Sequence, residues 1–175
     1  ADGTYDPDDT VLSSIYTNYF GSGMSSVVFQ ELREARALAY SAQARYSQGN
    51  RENAENLMLG VIGTQTDKTV DALNAFLDLI DNMPRSSERF EESVNSLLNR
   101  YRTAKLNFRE VIGAVRSWER LGFETDPRRE RFQQLQNASL EELLAFQQEH
   151  VQNRPKLISI VGDLSIIDAS ELEQF

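Results

Sequence analysis

The stretch Asn18-Tyr19-Phe20-Gly21-Ser22-Gly23-Met24-Ser25-Ser26-Val27-Val28-Phe29-Gln30-Glu31-Leu32-Arg33-Glu34-Ala35-Arg36-Ala37-Leu38-Ala39-Tyr40-Ser41 changes character three times within 24 residues. It opens on the end of a helical pattern over residues 9–20, in which Val11-Leu12, Ile15-Tyr16 and Tyr19 recur at helical spacing. Asp8 or Asp9 can cap that helix, and Gly21 is placed to stop it. Gly21-Ser22-Gly23 is a flexible turn. After Ser25 or Ser26 a second helix follows, with Val28, Phe29, Leu32 and Ala35 on one side and Glu31, Arg33, Glu34 and Arg36 on the remainder. From Leu38 the period shifts to two, through Tyr40, Ala42 and Ala44 to Tyr46, which predicts a strand.

Working outward, residues 49–53 form a polar connection, and the apolar run 55–64 (ENLMLGVIGT) reads as a second strand, making an antiparallel hairpin. Gly60 and Gly63 within it predict a bend or close packing under a helix. The next ninety residues are helical in pattern. Val70, Leu73, Phe76-Leu77 and Ile80 give one face, ended by Met83-Pro84, and Phe90, Val94, Leu97-Leu98 and Tyr101 give another after Ser86-Ser87. Asn107 with Glu110 has the form of a capping box ahead of Val111, Val115 and Trp118, and Gly122 stops that helix. Asp126-Pro127 opens a helix carrying Phe132 and Leu135, and Ser139 with Glu142 opens another carrying Leu140, Leu143-Leu144 and Val151. Past Pro155, the run 156–161 (KLISIV) predicts a third strand, and 168–175 a last short helix. Helices and strands are segregated, so the fold class is α+β with an antiparallel sheet packed against helices. Three strands are few for so many helices, so the sheet is expected to be completed from elsewhere, by an N-terminal strand or a partner domain.

A chain of 175 residues is one domain's worth, and we read residues 1–175 as a single domain. The 18 basic and 27 acidic residues leave a net charge of −9, which opposes nucleic-acid binding. The densest basic runs, Arg128-Arg129-Glu130-Arg131 and the one from Arg33 to Arg36, are interrupted by acids. No stretch approaches the roughly 20 apolar residues of a membrane span, and Ala1-Asp2-Gly3 reads like the edge of a longer chain. With no cysteine and one histidine, His150, the chain alone offers no thiolate or poly-histidine zinc site, and a Ser-His-Asp triad only if His150 serves.

The opening stretch resembles the signature of the C-terminal domain of M16 zinc metallopeptidases, the pitrilysin and mitochondrial processing peptidase group. That signature runs from a helix through a Gly-rich turn, a Ser-Ser pair and a Phe-Gln-Glu-Leu-Arg helix to a Leu-Ala-Tyr strand. The likeness is dense over residues 8–48, and Ile160-Val161-Gly162-Asp163 resembles the family's closing strand and turn. The resemblance implies an α+β domain of the inactive type, one of several that pair to enclose a chamber. Active members carry His-x-x-Glu-His and a later Glu in a catalytic domain. This chain has only Phe146-Gln147-Gln148-Glu149-His150, with Phe146 at the first ligand position, so zinc is expected only in a partner catalytic domain. His150 then has the ordinary role of a last-turn histidine facing the negative pole of its helix.

The resemblance further implies that Arg33 and Tyr40, seven residues apart, reach toward bound peptide from across the chamber. A guanidinium can grip a peptide carbonyl or carboxylate, and a phenol can stabilise a tetrahedral oxyanion. The bland alternatives are a surface ion pair for Arg33 and a core-packing strand aromatic for Tyr40. The Gly-Ser-Gly-Met-Ser-Ser turn is expected to line the chamber rather than bind phosphate. Many relatives have Arg at the place of Val27, here a lost chamber-wall charge, and Gly at that of Ala37, which is tolerable unless φ is positive. The resulting expectation is a substrate-binding, chamber-forming domain without activity of its own, partnered by a catalytic M16 domain and a peptide substrate. The competing expectation is a scaffold subunit that keeps the fold for assembly alone. An acid-pair enzyme of glycosidase type is disfavoured, because the acids sit on solvent faces of helices or at caps. Bacterial relatives of this type are commonly extracytoplasmic, which points to export of the parent protein.

Overall fold

The computed structural model describes residues 3–51, 53–163, 165–167 and 169–172. Helix α1 (Thr10–Tyr16) runs without a break into a π-helical turn, Thr17–Gly21. Ile15, Tyr16, Tyr19 and Phe20 are all fully buried, so this helix is covered on more than one side and forms the centre of the core. Asp9 stands at its N-cap, yet its side chain makes no capping hydrogen bond. The carboxylate is turned instead to His150, with Oδ2 3.1 Å from Nε2. A second π-helical segment, Phe29–Ala35, follows the glycine turn and buries Leu32.

Strand β1 (Ser41–Ser47) pairs antiparallel with β2 (Leu57–Gly63), with Ala44 opposite Gly60. The period-two reading holds inside β1: Ala42, Ala44 and Tyr46 are buried while Ser41, Gln43 and Arg45 are exposed. It fails at its start. Tyr40 lies in a bend before the strand and is 62% exposed, so it is not a core aromatic. On β2, Leu57, Leu59 and Val61 share the outward face with the polar residues of β1 and are all exposed.

Five helices follow: α2 (Thr69–Asp81), α3 (Ser87–Thr103), α4 (Val111–Arg120), α5 (Arg128–Asn137) and α6 (Leu140–His150). The Ser86 hydroxyl caps α3, and the Ser139–Glu142 capping box forms in full. The Asn107–Glu110 pair forms only as a turn. Glu110 accepts from the Asn107 N–H, but Asn107 accepts from Arg109, and α4 begins with Glu110 at its N-cap. The expected third strand, residues 156–161, is not a strand. Its backbone has no ladder, Leu157 and Val161 are 98% and 99% exposed, and Lys156 is held by its ion pair to Asp81. An apolar run becomes a strand only beside a hydrogen-bonding edge, and among the described residues β1 and β2 pair only with each other. Helix α7 spans Ala169–Leu172, and the rest of the expected 168–175 lies outside the described residues.

Buried polar ties join the layers. The Tyr19 hydroxyl donates to the Pro84 carbonyl and accepts from the Ser86 N–H, fixing the link between α2 and α3. Gln147, buried on α6, donates to the Ile80 carbonyl at the end of α2. Two close approaches explain two glycines. A Cβ on Gly21 would lie 2.0 Å from the Ala44 carbonyl oxygen, where the central helix meets β1. A Cβ on Gly60 would lie 2.2 Å from Cζ of Phe76 on α2. Gly60→Ala is therefore expected to destabilise the chain by about 1–3 kcal/mol, as overpacking does. Urea unfolding measures this, and adding Phe76→Leu should restore part of the loss.

Candidate functional site

The helix-to-strand crossing that carries Arg33 and Tyr40 is held by backbone bonds on both sides. Leu38 N–H donates to the Leu32 carbonyl at 2.8 Å, the Thr64 hydroxyl donates to the Leu38 carbonyl, and Tyr40 N–H donates to the Gly63 carbonyl at 2.8 Å. The crossing is thus clamped to the π-helical segment at one end and to β2 at the other. Both side chains are left in solvent. The Arg33 guanidinium lies 4.8 Å over the Phe29 ring and its Nε is 3.6 Å from Glu34, in a half-exposed ion pair of small energetic worth. Among the described residues no hydrogen bond or ion pair links Arg33 to Tyr40.

Ala37, between the two, has φ of +49°, a left-handed conformation that L side chains adopt at a cost. A glycine at this place would avoid that cost. Val27 is fully buried in the core, so its position is not on an exposed wall and the expected loss of a wall charge does not apply. The glycine turn is closed by Ser26, whose hydroxyl donates to the Gly23 carbonyl at 2.8 Å, and is tied to α3 by Arg89 Nε donating to the Ser25 carbonyl. It leaves Met24 75% exposed.

His150, in the last turn of α6, packs on Phe146 with ring centroids 4.8 Å apart and on Tyr46 at 6.3 Å. Its bond to Asp9 joins the end of α6 to the start of α1. Burial pushes the Asp9 carboxyl above the ordinary carboxylate range. His150 pulls it down, and Asp6, Glu149 and Asp8 add to the rise. Sequence reasoning did not find this link, because it crosses 141 positions and neither residue belongs to a motif. Among the described residues no group of three or more His, Cys, Asp or Glu side chains is gathered as a metal site would need.

The family profile of the peptidase M16 inactive domain matches residues 1–97, more than half the chain. The chain belongs to the peptidase M16 inactive-domain family. Solved structures agree in fold. The peptidase M16 inactive domain from Pseudomonas fluorescens superposes with a TM-score of 0.67 at 17% identity, over 82% of this chain and 34% of that one. A conserved protein from Enterococcus faecalis gives 0.66 at 17% identity, over 84% and 34%. A protease from Helicobacter pylori gives 0.65 at 14% identity, over 83% and 35%. The chain thus spans about a third of the length of these structures. No curated protein matches it in sequence.

Two outcomes are expected of this M16 inactive domain. Ala37→Gly should raise stability by up to about 1 kcal/mol, the relief of the left-handed Cβ less the entropy glycine adds to the unfolded chain. An unchanged urea midpoint would remove strain from the account. For Asp9 the sign follows from a folded pKa above the unfolded one: the native state then holds the proton more tightly. Stability is greatest below the ordinary value of 3.8 and falls as pH rises through the raised value. Asp9→Asn should flatten that fall, so the difference between variant and wild type should grow in the variant's favour from about pH 4 upward.

Proposed function

We propose that this domain is a non-catalytic, substrate-binding wall of an M16 peptidase chamber, with Arg33 and Tyr40 as its peptide-facing residues. The observation that carries the reading is their joint exposure on a crossing whose backbone is pinned. Neither side chain supports the core, and the Tyr40 phenol is free to reach a ligand. Family membership supports the same assignment, as does a sequence with a single histidine and no His-x-x-Glu-His. Chemistry then belongs to a zinc-bearing partner, in the same chain or another. The guanidinium would hold a peptide carbonyl or carboxylate, and the phenol would donate to the oxyanion as the carbonyl carbon becomes tetrahedral. The exposed apolar outer face of β2, formed by Leu57, Leu59 and Val61, is a surface for the neighbouring domain to cover.

Isolation of the chain with its natural partner tests this against the scaffold reading. Tyr40→Phe is expected to lower kcat/KM of the assembly by about a hundredfold, as loss of one oxyanion donor does, and Arg33→Ala chiefly to raise KM. A partner without peptidase activity, or full activity in both variants, would instead support a scaffold. The chain by itself is expected to bind no stoichiometric zinc and to cleave no peptide. Tight zinc binding abolished by His150→Ala would overturn that assignment.

A further inference from the structure

Half of the 18 basic residues lie between Arg100 and Arg131, against five acids there (Glu110, Glu119, Glu124, Asp126 and Glu130), although the whole chain carries −9. The fold gathers part of this charge around one cleft of about 630 Å³ between the last turns of α3 and the first turn of α5. Its charged lining is Arg100, Arg128, Arg129 and Asp126, and its apolar floor includes Leu97, Tyr101 and Phe132. Asp126 is the one carboxylate in the lining, and it is already engaged: Arg128 Nε donates to its Oδ1 at 2.9 Å and its Oδ2 at 3.0 Å. Arg100 and Arg129 make no ion pair among the described residues.

Taken against the helix dipole alone, the position of the charge is unfavourable, and at Arg128 the bonds to Asp126 hold the cation in place. A helix N-terminus is the positive end of its dipole, and Arg128 and Arg129 are the first two residues of α5. Cations there add to a positive potential that no protein carboxylate beyond Asp126 and Glu130 offsets in that turn. The field is felt by Tyr101: burial pushes its hydroxyl up, while Arg131, Arg100 and Arg128 pull it down. Arg131 itself lies 5.0 Å over the Phe123 ring, and its Nε is buried without a hydrogen-bond partner.

We propose that this cleft is an oxyanion-binding site, taking a carboxylate or phosphate group carried on an apolar body. Arg100 and Arg129 receive the anion from the two helices, and Leu97, Tyr101 and Phe132 receive the body. An acidic peptide and a phosphate compound share this chemistry. The site involves neither Arg33 nor Tyr40, so it stands or falls apart from the chamber-wall reading.

Two probes separate the sources: inorganic phosphate, and a Glu-rich peptide with Phe or Leu beside the acids, compared with its Gln counterpart. Each is titrated into the full chain and followed by NMR shifts of α3 and α5 amides. Saturable binding of either probe is expected, weakened about tenfold or more in the Arg100→Gln/Arg129→Gln variant through loss of charge-assisted bonds. Preference for the Glu peptide over its Gln form assigns a peptide ligand, and phosphate binding alone assigns a phosphate ligand. Asp126→Asn keeps an oxygen to cap α5 but frees Arg128, so it should tighten binding severalfold, a direction that damage to the fold would not produce. No saturable binding of either probe, or affinity unchanged in both variants, would overturn the proposal.

Discussion

The central helix from Thr10 to Gly21 carries the constraint on which the remaining elements depend. Its Tyr16 ring stacks on Phe20 at 5.2 Å and meets Tyr46 of β1 and Phe146 of α6 edge-on or tilted at 6.4 and 5.9 Å. One helix therefore contacts the sheet and the C-terminal helices through the same aromatic cluster. Such rings bury large areas and prefer these offset arrangements over face-to-face ones. The Tyr19 hydroxyl, also on this helix, fixes the Pro84–Ser86 connection, so the path of α2 into α3 is set from the core outward. A polar atom with both a donor and an acceptor role can be fully buried here without leaving a group unsatisfied.

From that centre the hairpin's geometry follows. Gly21 lets the helix approach the Ala44 carbonyl, and Gly60, paired with Ala44 across the sheet, lets Phe76 of α2 approach β2. The two glycines thus set how closely the central helix and α2 approach the hairpin, at paired positions of one ladder. With β1 fixed, the crossing before it has little freedom. Leu38 and Tyr40 are bonded into place, and the chain between Arg36 and Leu38 must reverse sharply, which puts Ala37 in the left-handed region. The π-helical windings at Thr17–Gly21 and Phe29–Ala35 fall on either side of the glycine turn, and the second carries Arg33 of the candidate site.

What the sequence made legible and what it hid divide along a physical line. Local signals carried well: the Ser139–Glu142 box, the Ser86 cap, and the alternation Ala42, Ala44, Tyr46 each depend on residues a few positions apart. Features set by distant partners did not. Residues 156–161 have the composition of a strand, yet a strand is a relation between two backbones, and among the described residues this one pairs with none. Asp9 has the position and chemistry of a cap, yet His150, brought from the other end of the chain, competes for its carboxylate. For the candidate site, the spacing of Arg33 and Tyr40 was visible through family likeness. Their exposure and the strain between them required the fold.

Core and surface chemistry are unusually separable in this domain. Arg33 and Tyr40 contribute nothing to the buried cluster, so an activity that depends on them can be removed without unfolding the chain. The arginines at the start of α5 are the opposite case. They oppose the helix dipole, and Asp126 is bonded to the Arg128 backbone and side chain, while Arg129 makes no ion pair among the described residues. A ligand anion seated between Arg100 and Arg129 would complete the neutralisation and stabilise the native state by its own binding free energy. Occupancy of the cleft and stability of the α3–α5 packing are then linked quantities, while the crossing between Arg33 and Tyr40, pinned by two backbone bonds and the Thr64 hydroxyl, remains independent of both.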